Sequence, residues 1–303
     1  MILLVSPKNK YATQRLLEEA PLHQLGIDRF DVRELAARNF NIDINMYSGL
    51  YVRQAYPYYE QIINLAQKFK QQGKVVIDEE EVTGQFDTSK VHMYEVLKDS
   101  GQPIPRTELL GHHTFGYPFV LKWEYGFGSK DVFLVHDSEE LNRIKLLHPE
   151  GEWLAQEYIE ATCEYEVYVV GYRAIPTLLS FPTKDGFKAD VHHHTVVNDG
   201  EERKLYEEIK NIAERAARAM GRELAKVDIL ESNGRLYILE VNRSPGLVSF
   251  QSLMGYNIAG AFINYIKECV IKKGIVMKSI MEKPEITPTP QPLKPQQPPQ
   301  PQA

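Results

Sequence analysis

The stretch from Lys226 to Leu247, KVDILESNGRLYILEVNRSPGL, constrains this chain more than any other. Two apolar runs, 227–230 and 236–241, flank the turn Ser232-Asn233-Gly234 and read as a β-hairpin. Each run carries an acid where a buried strand takes an aliphatic residue. Asp228 lies on the first, Glu240 on the second, and Asn242 two residues beyond Glu240. Side chains alternate along a strand, so Glu240 and Asn242 share a face. A strict two-residue Asn-Gly turn puts Asp228 out of register with Glu240, whereas an odd-length loop or a β-bulge brings them together. Two carboxylates and a carboxamide on one face of an apolar site call for a hard cation. Mg²⁺ fits, since it takes few protein carboxylates and fills its shell with water and phosphate oxygens. The competing reading is a half-exposed hairpin whose acids face water.

The string VDIL…LYILEVNRSPGL resembles the magnesium-binding end of the ATP-grasp ligases, and in particular the RimK-type branch, whose members join an amino acid to a carboxylate. The resemblance covers about residues 85–270 and is most specific in this hairpin. It implies an α/β (α+β) fold: a small N-terminal parallel α/β domain (1–82), a linker helix and mobile lid (83–155), and a C-terminal ATP/Mg-binding sheet (156–280). It also implies ATP with one or two Mg²⁺ ions (or Mn²⁺), and an amino acid, peptide or protein as substrate. Homo-oligomers are common in the family.

Composition narrows the rest. A chain of 303 residues can bury a substantial core in one to three domains. Its net charge of −6 argues against duplex nucleic acid as a partner. Cys163 and Cys269 supply neither a disulfide framework nor a zinc site, so a reduced, cytoplasmic protein is expected. Met1–Ser6 reads as a first strand, not a signal peptide, and no apolar run is long enough to span a membrane.

In chain order, helical spacing covers 13–25 and 58–72, with strands at 1–6, 51–55 and 75–77. This alternation implies a small parallel unit. No phosphate-binding glycine fingerprint follows the first strand, so 1–82 reads as the substrate side. Arg53, near a strand end, reads as a surface arginine, with carboxylate binding as the alternative. Thr88-Ser89-Lys90 opens a helix through Asp99, and in the resembled family a lysine at the place of Lys90 reaches the phosphates. The strand ending at Lys122 precedes Gly126-Phe127-Gly128-Ser129-Lys130, a flexible segment whose N–H groups can fold over phosphates. The spacing is not that of a P-loop. It resembles the family's glycine loop, except that Asp131 stands where another glycine is common, and Lys122 matches the lysine that contacts adenine and α-phosphate.

Ser138–Leu147 reads as a helix capped by Ser138. Gln156-Glu157-Tyr158-Ile159 resembles the strand whose backbone pairs with adenine, and Glu164 matches the acid that binds ribose. Glu166 departs from the pattern, which has arginine two residues after the ribose acid. Arg173, Lys184, Lys188 and Arg243 are candidates to replace that cation. Lys188 keeps charge where the family has arginine, although without its bidentate fork, and Asp190 replaces an amide. His192-His193-His194 alternate in direction and read as a solvated turn, not a metal site. Helices are expected over 201–220 and 258–271, the latter beneath the ATP-binding sheet. From Pro284 the chain is proline-rich, which implies a solvated polyproline tail or a ligand for an aromatic groove.

The resemblance implies a carboxylate–amine ligase working through an acyl phosphate. Asp228, Glu240 and Asn242 would hold Mg²⁺. Lys90, Lys122, Gly126, Gly128, Ser129 and Lys130 would enclose the triphosphate, and Arg243 and Lys188 would steady the acyl phosphate. The alternatives are a phosphotransferase that stops at a phosphorylated product, and an inactive nucleotide-binding scaffold that recruits partners through the tail.

Overall fold

The computed structural model describes residues 1–84, 86, 89–126, 130–189, 192–197 and 203–281. Gly128, Ser129, Asp190 and the proline-rich tail lie outside the described residues. The chain forms three sheets in sequence order, and the nucleotide-site residues expected above converge where the second and third meet.

The first is β1 (Ile2–Val5), α1 (Tyr11–Leu22), β2 (Ile27–Phe30), α2 (Val32–Ala36), β3 (Gly49–Val52), α3 (Tyr59–Gln71), β4 (Val75–Val76) and α4 (Glu79–Thr83). Its four strands are parallel, in the order β2-β1-β3-β4. Residues of β1 and β3 are buried throughout, as a parallel strand covered on both faces requires. Leu3, Val5, Leu50 and Val52 pack against Val32 and Leu35 of α2 and Ile62, Leu65 and Phe69 of α3. A capping box starts α2: the Asp31 carboxylate accepts from the Arg33 N–H, and Glu34 reaches back to the Asp31 N–H.

After α5 (Lys90–Asp99), capped by Ser89 as expected, comes a four-stranded antiparallel sheet. It comprises β5 (Thr107–Leu109), β6 (Phe119–Trp123), β7 (Val132–Val135) and β8 (Trp153–Glu157), with α6 (Ser138–Lys145) across one side. The cap of α6 is Asp137, not Ser138: its carboxylate accepts from the Glu140 N–H at 2.8 Å. Either residue type suits the position, and the helix starts one residue earlier than a Ser138 cap implies.

The third sheet holds β9 (Cys163–Val170), β10 (Arg173–Ala174), β11 (Leu178–Lys184), β12 (Lys188–Ala189) and β13 (Thr195–Val197), then, beyond α7 (Arg203–Ala219), the hairpin β14 (Leu224–Ser232) and β15 (Arg235–Asn242). α7 lays Tyr206, Ile209, Ile212, Ala213, Ala216 and Ala217 against Val167, Val169, Val227 and Ile229 on the underside. Each valine or isoleucine side chain so buried contributes about 1.5–3 kcal/mol, each alanine less. This face fixes which residues of β9 and β14 point to the other side.

The chain closes with α8 (Val248–Met254) and α9 (Ile258–Met281). The last helix does more than lie beneath the third sheet. Ile258, Phe262, Ile263 and Ile266 share one core with Ile2 and Leu4, with Leu16 of α1, and with Tyr168 and Phe181, so α9 joins the first sheet to the third.

Candidate functional site

The hairpin turn is Asn233-Gly234, with φ of 51° and 72°. Both values are left-handed, as a two-residue type I′ turn requires. Regular pairing from that turn matches Ser232 with Arg235 and Ile229 with Ile238. The register then shifts between Asp228 and Ile229, with Leu239 as the extra residue, so that Asp228 pairs with Glu240 and Lys226 with Asn242. A β-bulge thus places both acids and the amide on one face. On the neighbouring strand Asp228 pairs with Glu166, Leu230 with Glu164, and Lys226 with Tyr168.

This face floors a cavity of about 480 Å³. The lining brings together Lys90, Lys122, Gly126, Gln156, Glu157, Tyr158, Ile159, Glu164, Lys188, Asp228, Glu240 and Asn242, expected from separate stretches of sequence. It also includes Glu166 and Lys226, with Ser244, Pro245 and Gly246 at one end. Val120, Val132, Leu230 and Leu239 give apolar wall beside the Gln156–Ile159 edge.

The lysines are fixed by the chain itself. Lys122 is buried and donates to the Tyr94 hydroxyl at 2.9 Å; that hydroxyl donates to the Leu239 carbonyl at the bulge. Lys90 donates to the Gly126 carbonyl at 2.5 Å and stands 4.0 Å from Glu240. Burial holds the Lys90 ammonium below its ordinary pKa, with Lys122 nearby acting in the same direction. Gln156 is buried, its amide donating to the Thr107 hydroxyl. Glu157 is gripped by Arg106 through two hydrogen bonds of 3.0 and 3.1 Å, which lower its pKa. Lys188 lies on β12 at the rim. Lys130 is exposed and outside the lining. Asp131 Oδ1 accepts from His148 Nε2 at 3.0 Å, and the His148 ring stacks on Trp123. The residue that replaces a common loop glycine is therefore tied to the lid.

Asp228 is the most constrained acid. Lys226 Nζ lies 2.9 Å from its Oδ1 and 2.6 Å from Glu166 Oε1, while Asn242 Nδ2 donates to Oδ2 at 2.8 Å. Burial pushes the Asp228 carboxyl well above the usual range; Lys226 opposes this, and Glu166, Glu164 and Glu240 add to it. Burial likewise raises Glu164. For Lys226 burial acts downward, but Asp228 and Glu166 outweigh it and hold the ammonium well above its ordinary value. The donor set fits a hard cation: two carboxylates and an amide, crowded enough to resist ionisation without one. Among the described residues no three His, Cys, Asp or Glu side chains converge as a metal cage. Asn242, water and phosphate oxygens would have to complete the shell.

Two arginine expectations are corrected. Arg243 does not face the cavity. Its guanidinium is buried, donates to the Val52 carbonyl, lies 4.3 Å above the Phe86 ring and is 3.7 Å from Glu81. Asn242 faces the site, so the next residue in the strand points the other way, into the first domain. Arg53 is likewise no surface residue: it is buried and donates to the Pro245 carbonyl at 2.9 Å and the Tyr51 hydroxyl at 3.0 Å. Ser244 returns a bond to the Arg53 carbonyl, and Tyr168 donates to the Gly246 carbonyl. Both arginines pin the 243–246 turn. Lys226 was missed, although it sits two residues before Asp228 and strand alternation alone puts it on the same face.

Comparisons with known proteins give the family and the fold. The model of the RimK-like ATP-grasp domain matches residues 87–266. A probable alpha-L-glutamate ligase of Legionella pneumophila is 31% identical over 195 residues, 59% of this chain and 63% of that protein. The chain thus spans under two thirds of that relative. A beta-citrylglutamate synthase B of Danio rerio is 26% identical over 59% of this chain and 47% of its own. Among solved structures, the ATP-grasp ligase PsnB complexed with precursor peptide PsnA2 and AMPPNP superposes with a TM-score of 0.66 at 16% identity, covering 89% of this chain and 97% of that one. That likeness shows the fold. With more than half of its length matched by the family model, the chain belongs to the RimK-like ATP-grasp domain family.

Proposed function

We propose that the chain is an ATP-dependent carboxylate–amine ligase. The observation that carries this reading is the bulge, which aligns Asp228 with Glu240 and Asn242 on the floor of a lysine-lined cavity. The Gln156–Ile159 edge and its apolar wall would take adenine, and Glu164 the ribose. Lys90 and Lys122, with Gly126, would face the phosphates. Mg²⁺ held by Asp228, Glu240 and Asn242 would neutralise charge between the β- and γ-phosphates. A substrate carboxylate then takes the γ-phosphoryl group, leaving ADP, and an amine displaces phosphate from the resulting acyl phosphate to form the amide. Such chemistry asks the protein mainly for positioning and electrostatics. Lys188, which lines the cavity, would steady the acyl phosphate; Arg243 has no part in that step, because its guanidinium is buried against the Val52 carbonyl, away from the cavity.

The relatives' names supply candidate substrates. One is named a probable glutamate ligase and one a citrylglutamate synthase, so glutamate and citrate are the first small molecules to try. PsnB is seen with a precursor peptide, which adds acidic peptides to the screen. The test is phosphate release from MgATP with these carboxylates, with and without an added amino acid as amine. Release that requires both partners and is lost in Asp228→Ala supports the ligase. Release with the carboxylate alone, unchanged by any amine, would replace it with a phosphotransferase.

A further inference from the structure

Asn242 donates to Asp228 Oδ2, while the Lys226 ammonium lies 2.9 Å from Oδ1 as an ion pair, Oδ1 itself being buried and accepting no hydrogen bond. A metal ion seeking Oδ1 must displace an ammonium. That ammonium has a second partner, Glu166 Oε1, at 2.6 Å. The other oxygen of Glu166, Oε2, is buried and accepts no hydrogen bond. A buried acceptor without a donor is costly and needs a reason. One lysine thus sits between two carboxylates, hydrogen-bonded to Glu166 and ion-paired with Asp228, each of which has one buried oxygen that accepts no hydrogen bond. Its ammonium carries three rotatable donors on a flexible stem, so it can change partners without a change in the backbone.

We propose that Lys226 is a positioning residue for the metal ligand Asp228, and that Glu166 is its alternative seat. Before the cation arrives, the ammonium neutralises Asp228 and holds it in the ligating rotamer. When the cation arrives, Lys226 withdraws onto Glu166, filling the open acceptor. The inference rests on the reading of Asp228 as a metal ligand. It gives a physical reason for an acid at position 166, where the resembled pattern has arginine: a lysine on the adjacent strand needs somewhere to go. It also places the withdrawn ammonium one strand away from the metal, level with Asp228, so a positive charge stays at that end of the cavity. A bridge that served folding alone would not need a second carboxylate with an unused oxygen inside the cavity wall.

The test uses the full chain without nucleotide and MnCl₂ as probe, with free Mn²⁺ counted by its electron paramagnetic resonance signal and the melting temperature recorded to confirm folding. The double variant Lys226→Met/Glu166→Gln removes one charge of each sign. The net charge of the cavity is unchanged, so long-range electrostatics alone leave the affinity as it was. Freed of its internal counter-ion, Asp228 binds Mn²⁺ at least tenfold more tightly. Glu166→Gln alone acts in the opposite sense, weakening binding at least threefold, because Lys226 then has only Asp228 to hold. Should the double variant fail to fold, Lys226→Gln/Glu166→Gln makes the same comparison with a polar side chain in place of methionine. A double variant within twofold of wild type, or with no measurable binding, overturns the inference. Asp228→Asn separates the two claims: undiminished Mn²⁺ binding there sinks the metal reading itself. Loss there without a gain in the double variant removes only the role of Lys226.

Discussion

Replacing Asp78 by asparagine should stabilise the protein, and only at neutral to alkaline pH. Asp78 starts α4 in a left-handed conformation (φ 58°), fully buried against the beginning of β14. Its Oδ1 accepts from the Glu223 and Leu224 N–H groups at 2.7 and 3.2 Å, and its own N–H donates to Glu223 Oε2. Oδ2 is buried without a partner. Burial, and after it the Glu81 carboxylate, push the Asp78 pKa up to about 8, from an ordinary value of 3.8. Between those values the folded chain keeps the proton and the unfolded chain has released it. Stability therefore falls as pH rises through this window and levels off above about pH 8. At about 1.4 kcal/mol per unit, the full penalty is roughly 6 kcal/mol. Asparagine keeps the Oδ1 acceptor, tolerates the left-handed backbone and puts an uncharged group at the orphan position. Its amide adds a donor that must find Glu81, and an unmet donor returns about 1–3 kcal/mol. A net gain of about 3–5 kcal/mol remains at pH 9, or about 5–8 °C in Tm for a chain of this length. The gain shrinks by about 1.4 kcal/mol per pH unit below 8 and is gone near pH 5. Calorimetry of both proteins from pH 5 to 9 measures this directly. A Tm difference that does not change with pH, or a variant less stable at pH 9, refutes the reasoning.

Arg243→Met should cost about 3–5 kcal/mol, because it breaks a buried pair and strands the Val52 carbonyl; urea unfolding reads it, and a cost below 1 kcal/mol would mean the guanidinium is dispensable. Tyr94→Phe takes the hydroxyl acceptor from Lys122, a charged hydrogen bond of about 1.5–3 kcal/mol. Bound phosphate would return a partner to Lys122, so MgADP should raise the Tm of this variant more than that of wild type. An equal or smaller rise places Lys122 away from the phosphates. Glu240→Ala should lose turnover while keeping the fold, since its side chain is 40% exposed and its loss opens no cavity; retained turnover removes it from the metal site.

The hairpin was legible because its signals are local. An Asn-Gly turn, two apolar runs and two misplaced acids lie within one stretch, and the need for a bulge followed from counting residues across the turn. The convergence of Lys90, Lys122, Glu164 and Lys188 was legible only through resemblance, since nothing local says that strands of two sheets will meet around one cavity. Lys226 could have been found by the alternation that grouped Glu240 with Asn242, but attention to acids passed over it. Arg243 failed for the complementary reason: adjacency in sequence was taken for adjacency in space, where a strand turns neighbours to opposite faces. Arg53 and Asp78 were not legible at all. Their burial depends on the first domain docking on the 243–246 turn and on β14, a tertiary event that no window of sequence reports. Short strands such as β10, β12 and β13 escaped because two or three residues carry no period. Among the described residues no helix is long and apolar enough to cross a membrane.

The most direct measurement of the central claim is trapping of the acyl phosphate with hydroxylamine. The protein would be incubated with MgATP, hydroxylamine and, in turn, glutamate, citrate or an acidic peptide, and the hydroxamate and ADP measured together. The account predicts hydroxamate and ADP in equal amounts with at least one carboxylate, and neither in Asp228→Ala. ADP formed with a phosphorylated product and no hydroxamate, or hydroxamate undiminished in Asp228→Ala, would contradict it.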